Sequence, residues 1–190
     1  MTATLNLTPF WSGARDQFSD RGGPERILHL SDHLPWLLDA GNSFMDLGCG
    51  CGGVVSHIQS TGRVCVGVTY QEAEVAEAAE RGISGVVFGD IHDPASFPPP
   101  ASLDGALLWD VIEHTLAPLV VLKNIHEALR PGGRLLIFVP GQRWGHSWYH
   151  TLVPTQSQMR HLLELSGFTS TTCVDYSRED AEQAVYKVEK

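Results

Sequence analysis

Phe44-Met45-Asp46-Leu47-Gly48-Cys49-Gly50-Cys51-Gly52-Gly53 is the stretch from which the rest of the chain can be read. A short apolar run ends in an acid, Asp46. Glycines follow at alternating positions, and Val54-Val55-Ser56-His57-Ile58 continues with helical spacing. This is the pattern of a strand, a tight turn and the start of a helix. Glycine permits the positive φ of such a turn and lets a ligand lie against bare backbone. The helix start adds unpaired N–H groups and partial positive charge. Open α/β sheets bind nucleotide-like ligands at such turns, at the carboxyl end of a parallel strand. The spacing D-x-G-x-G-x-G differs from the dinucleotide fingerprint G-x-G-x-x-G. An acid two residues ahead of the first glycine repels a diphosphate and suits a cationic ligand.

Working outward, strands are expected over residues 43–47, 63–69, 83–88, 103–109 and 134–139, with helices over 54–61, 71–81 and 116–129 between them. A helical pattern over 24–39 precedes them, with Pro35 as a bend or break. A proline-rich loop covers 94–102, and Arg130-Pro131-Gly132-Gly133 stops the helix before the fifth strand. A loop rich in aromatics and histidines follows at 141–153. A helix over 157–165 and strands over 168–174 and 184–188 complete the chain. Strands alternating with helices give a parallel sheet with right-handed crossovers. Residues 175–183 are too few for a helical crossover, so the ending should be antiparallel.

The chain has 190 residues, enough for one domain with a sizeable core. The reading is a single domain, 1–190, with an N-terminal arm or lid at 1–23 and a substrate-side loop at 141–154. Its formal charge is −9, from 13 basic and 22 acidic residues, which argues against broad nucleic-acid binding. No apolar run reaches the roughly 18 residues of a membrane span, and residues 1–10 lack a secretory signal's basic start. A cytoplasmic protein without a membrane partner is expected, as a monomer or homodimer. The four cysteines, Cys49, Cys51, Cys65 and Cys173, complete no zinc pattern and are expected as free thiols.

The pattern resembles the class I S-adenosylmethionine-dependent methyltransferases, small-molecule type. The resemblance runs from Pro24 onward and rests on Asp46 to Gly52, Gly67-Val68-Thr69, Gly89-Asp90-Ile91, and Leu108-Trp109-Asp110-Val111-Ile112-Glu113-His114, which is similar to that family's D-x-x-E-H signature. It implies an α/β fold: a seven-stranded, mostly parallel Rossmann-like sheet, last strand antiparallel, helices on both faces. It implies S-adenosyl-L-methionine as cofactor, held by Asp46, Gly48, Cys49, Gly50, Gly52, Thr69, Tyr70, Asp90, Ile91 and Trp109. Asp90 would accept from the adenine amino group and Ile91 pack on the ring. Thr69 departs from the family pattern, because an acid about 20 residues past the glycines holds the ribose in nucleotide folds. Gln71 or Glu72 would compensate.

The implied reaction is displacement at the sulfonium methyl by an oxygen or nitrogen of a small-molecule acceptor. The acceptor must lose a proton, and histidine suits that near neutral pH. His114, His146 and His150 are the candidates. Arg143, Trp144, Trp148 and Tyr149 are the candidates for acceptor contacts, because loops at strand carboxyl ends carry function. No metal is expected; the weaker alternative groups Asp110, Glu113 and His114 with His146 or His150. Two other classes remain open: a cofactor-binding regulatory protein without catalysis, and a protein or RNA methyltransferase. The tetrapeptide N/D-P-P-Y/F of nucleic-acid and protein amino-methylating enzymes is replaced here by Leu108-Trp109-Asp110-Val111.

Overall fold

The computed structural model describes residues 32–141, 150–174 and 183–190. The expected arm at 1–23 and residues 142–149 of the expected substrate-side loop lie outside them. The elements run α1 (Leu34–Leu38), β1 (Ser43–Leu47), α2 (Gly53–Ser60), β2 (Val64–Thr69), α3 (Glu72–Glu80), β3 (Val86–Phe88), β4 (Leu103–Trp109), α4 (Pro118–Ala128), β5 (Leu129–Pro140), α5 (Gln156–Leu165), β6 (Ser170–Cys173) and β7 (Gln183–Glu189). They form one seven-stranded sheet in the order β3-β2-β1-β4-β5-β7-β6. β1 to β5 are parallel neighbours, and β7 runs antiparallel to both β5 and β6. This is the expected sheet with its reversed last strand.

Strand periodicity divides the core in two. Along β5, Leu135, Ile137 and Val139 face one side, with α4 residues Val121, Leu122 and Ile125 and α5 residues Met159 and Leu163. Leu136 and Phe138 face the other, with α1, α2 and Ala78 of α3. Continuous apolar runs are what a sheet covered on both faces needs. Each fully buried Leu, Ile or Phe contributes about 1.5–3 kcal/mol.

Pro35 stands in the first turn of α1, in keeping with a break there, and residues 24–31 of the expected helical stretch lie outside the described residues. Two strand bounds differ. β3 is shorter than expected. β5 begins earlier, at Leu129, because the register with β4 jumps from Leu103↔Leu129 to Gly105↔Arg134 and absorbs the turn at residues 130–133.

A carboxylate fastens the end of the sheet remote from the glycine turn. Asp104, in β4, accepts from Asn42 N (2.7 Å), Ser43 N (2.9 Å) and Arg130 Nε. Arg130 also donates to Ala40 O. Burial works to raise the Asp104 pKa, but the Arg130 guanidinium and the two backbone donors outweigh it and hold the carboxyl below its usual range.

Between β3 and β4 the described chain makes only a single 3-10 turn, Pro94–Ser96. Val64, Val66 and Val87 on that margin are exposed.

Candidate active site at the carboxyl ends of β1, β2 and β4

The glycine turn forms as its spacing predicts. Gly48, Gly50 and Gly52 have φ of 75°, 55° and 81°, and Gly52 precedes the first turn of α2. The turn is tied to the neighbouring strand: Gly48 N and Cys49 N both donate to Val68 O, at 2.8 and 3.0 Å.

The glycines have different neighbours. A Cβ on Gly48 would lie 2.4 Å from Val111, one on Gly52 2.5 Å from Val86, and one on Gly67 2.5 Å from Cys49 Sγ. A Cβ on Gly50 would meet nothing within 4 Å. Gly50 is therefore the bare, open floor of the turn. Two variants separate these roles. Gly67→Ala is expected to lower stability by about 1–3 kcal/mol through overpacking. Gly50→Ala pays only the left-handed backbone penalty of about 1–2 kcal/mol, yet should weaken a ligand lying on the turn by about tenfold or more. Thermal melts and calorimetric titration with S-adenosylhomocysteine measure the two quantities on the same samples.

Asp46, at 3% exposure, is buried at the end of β1. The Cys49 thiol reports the local field. Burial first, then Asp46 and Glu74, push its pKa far above the usual thiol range. Cys65 is raised by burial and by Asp46, and Cys51 is pushed up to about 12 by burial and by Glu77. Carboxylates from β1 and α3 therefore bracket the turn, a field that suits a cation. Because thiolates are the reactive form, iodoacetamide at pH 8 is expected to leave Cys49, Cys51 and Cys65 unmodified in the folded protein, as peptide mass spectrometry would show.

At the tip of β2, Thr69 is buried and its Oγ1 donates to Glu74 Oε2, while Gln71 N donates to Thr69 Oγ1 at 3.3 Å. Gln71 Nε2 lies 3.4 Å from Glu74 Oε1 as its donor. The acid hydrogen-bonded to this tip is Glu74, in the first turn of α3, with Thr69 on one carboxylate oxygen and Gln71 on the other. Tyr70 is exposed, with its ring 5.9 Å from that of Phe88.

Beyond β3, Asp90 Oδ1 accepts from His92 N at 2.9 Å and lies 2.8 Å from His92 Nδ1. Asn124 of α4 donates to Ile91 O (3.2 Å) and His92 O (3.1 Å), clamping this turn from the helix behind it. Ile91 packs against the core. Asn124 is a positioning residue that its sequence surroundings do not mark.

At the tip of β4, Trp109 is buried and stacks on Phe138, with centroids 4.8 Å apart. Asp110 follows with φ of 50°, a left-handed conformation that strand ends at functional sites often carry. Its Oδ1 accepts from Gln183 Nε2 at 2.9 Å, which ties it to β7. Among the described residues Asp110 does not belong to the cluster of ligand atoms around Glu113.

Ile112–His114 forms a 3-10 turn that buries Glu113 completely. Glu113 Oε1 is 3.6 Å from His114 Nε2, and the rings of His114 and His150 are 5.1 Å apart. Thr151 brings His150 there: its N–H and its hydroxyl both donate to Glu113 O at 2.8 Å, and the hydroxyl is also 2.8 Å from Thr115 O. Glu113, His114 and His150 offer ligand atoms within 4.8 Å of one another. A zinc ion, which takes these ligands at about 2.0–2.2 Å, would require the group to tighten. Arg143, Trp144, His146, Trp148 and Tyr149 lie outside the described residues.

A sequence model described as a methyltransferase domain matches residues 20–180. The chain belongs to the class I S-adenosylmethionine-dependent methyltransferases. The chain is 30% identical over 138 residues to a probable S-adenosylmethionine-dependent methyltransferase of Mycolicibacterium smegmatis, covering 68% of this chain and 52% of that protein. It is 28% identical over 152 residues to an O-methyltransferase of Pyrenophora dematioidea, covering 71% and 57%. The chain thus spans about half the length of these curated relatives. The crystal structure of a SAM-dependent methyltransferase from Archaeoglobus fulgidus superposes with a TM-score of 0.77 over 93% of this chain and 99% of that one, at 16% identity, which shows a shared fold.

The family's cofactor, S-adenosylmethionine, fits the residues present. The open face of Gly50 leaves room on the turn, and the bracketing acids match a ligand bearing an ammonium and a sulfonium. Among the described residues no helix is long and apolar enough to cross a membrane.

Proposed function

We propose that this methyltransferase domain transfers a methyl group to an oxygen or nitrogen of a small-molecule acceptor. The observation that carries the proposal is the pairing of an acid-bracketed, open glycine turn with a buried Glu113 beside two histidines at the next strand tip. When bound, S-adenosylmethionine supplies an electrophilic methyl group on a sulfonium sulfur. Asp46 and the backbone of Gly48 to Gly52 hold the ligand's amino-acid end, with the backbone at Trp109 beside it. Asp90 and Ile91, steadied by Asn124, receive the adenine.

His114 and His150 take the proton that the acceptor must lose. The buried Glu113 carboxylate stabilises the imidazolium that results, since an opposite charge at 4–6 Å favours a charged histidine. Arg143, Trp144, His146, Trp148 and Tyr149 complete the acceptor side of this reading. The net charge of −9 supports a small acceptor over a polyanion. The name of the Pyrenophora relative favours oxygen over nitrogen.

The test has two parts. Calorimetry with S-adenosylhomocysteine should show binding, and incubation of S-adenosylmethionine with a panel of phenols, alcohols and amines should yield a methylated product by mass spectrometry. Binding without product across the panel and with protein and RNA acceptors would favour a non-catalytic binder.

A further inference from the structure

Thr69 stands where nucleotide folds place the acid that takes the ribose hydroxyls. A neutral hydroxyl alone is a weak substitute, since a hydrogen bond to a charged acceptor is roughly twice as strong as one between neutral groups. The structure nevertheless holds a carboxylate at this strand tip. We propose that Glu74, reaching back from the first turn of α3, is the acceptor for the ribose hydroxyls of the bound cofactor. Thr69 and Gln71 act as the residues that position it. The proposal rests on the cofactor reading above and adds to it the residue that distinguishes a ribose from a deoxyribose.

Four observations converge on Glu74. Its carboxylate is oriented by donors from two residues of the β2–α3 turn, Thr69 Oγ1 on one oxygen and Gln71 Nε2 on the other. Thr69 is itself fixed, because it is buried and accepts from Gln71 N. Glu74 lies close enough to the glycine turn to bear on the Cys49 thiol, alongside Asp46. The carboxylate also stands in the first turn of α3, where the helix dipole favours an anion.

An ionised carboxylate accepts on both oxygens. A vicinal diol offers two O–H donors, so the chemistry of the pair is complementary. The arrangement also accounts for the neutral residue at the end of β2. With Thr69 donating to a carboxylate delivered from the helix, a second acid at position 69 would place two like charges together, which is unfavourable. Glu72, the neighbouring acid in the same helix turn, has no such tie to Thr69 among the hydrogen bonds of the described residues.

The test compares two ligands on two variants. The affinities of S-adenosylhomocysteine and of its 2′-deoxyribose analogue are measured by calorimetry on the wild type, Glu74→Gln and Glu74→Ala. A hydrogen bond to a charged group contributes about 1.5–3 kcal/mol, or roughly 10- to 150-fold. The wild type should therefore bind the ribose ligand about 10- to 100-fold more tightly than the deoxy analogue. Both variants should lose most of that preference while binding the deoxy analogue within about threefold of the wild type. Thermal melts without ligand confirm folding; position 74 is in a helix turn where alanine is well tolerated. Equal losses for the two ligands would make Glu74 a structural residue and overturn the assignment. So would unchanged ribose preference in both variants. A wild type that binds neither ligand overturns the cofactor reading itself, and this assignment with it.

Discussion

Asp46→Asn is expected to lower the affinity for S-adenosylmethionine and S-adenosylhomocysteine by about 30- to 5,000-fold while leaving the protein folded. Asp46 is buried at the end of β1, where its charge reaches the thiols of both Cys49 and Cys65. Truncating one partner of a buried, hydrogen-bonded charge pair costs about 2–5 kcal/mol, much of it from the partner left uncompensated. The ligand's ammonium group would be that partner. Asparagine keeps the size and one acceptor, so packing at the strand end survives. Calorimetric titration reads the affinity, and a ligand-free thermal melt reads the fold. Wild-type affinity in this variant would remove the carboxylate from the site.

Removing the imidazoles gives the second large effect. His114→Ala and His150→Ala are each expected to reduce turnover, and the double variant by about 10²- to 10⁴-fold, the usual worth of a positioned general base. Cofactor affinity should change by less than about threefold, because neither residue belongs to the glycine turn. The singles are expected to be non-additive, since the rings adjoin and share Glu113. Turnover must be measured at saturating cofactor, with binding measured separately. The chelator EDTA should leave the rate unchanged. A rate that falls with chelator and returns with zinc would transfer the role from proton uptake to a metal ion held by Glu113, His114 and His150.

The parts of this molecule that were legible in the sequence are those governed by local patterns. Ser43–Leu47 and Leu103–Trp109 have the bounds expected of them, because each is an apolar run closed by a turn. The antiparallel ending followed from too short a connection. The glycine turn was legible because few residues other than glycine accept three positive φ values in close succession. The early start of β5 was not, since a strand can run through Pro131, Gly132 and Gly133 only where its partner skips a register position. Thr151 and Asn124 were hidden for a different reason. They act through hydrogen bonds to backbone 36 to 38 and 32 to 33 residues away, and no spacing rule reports such pairs. Glu74 is only five residues from Thr69. The expectation looked to Gln71 or Glu72, nearer the strand; the first turn of α3 also brings Glu74 to it.

The connection between β3 and β4, which carries only one 3-10 turn, has a consequence for how the cofactor's nucleoside half is received. Val64, Val66 and Val87 keep much of their surface in water, and among the described residues β3 is a three-residue edge strand held on one side only. This border of the sheet is thinly roofed, so its amides should trade hydrogen for deuterium sooner than those of β5 in the sheet's interior. A nucleoside resting on the turns at Thr69 and Asp90 would brace that border, so that occupancy and local rigidity rise together.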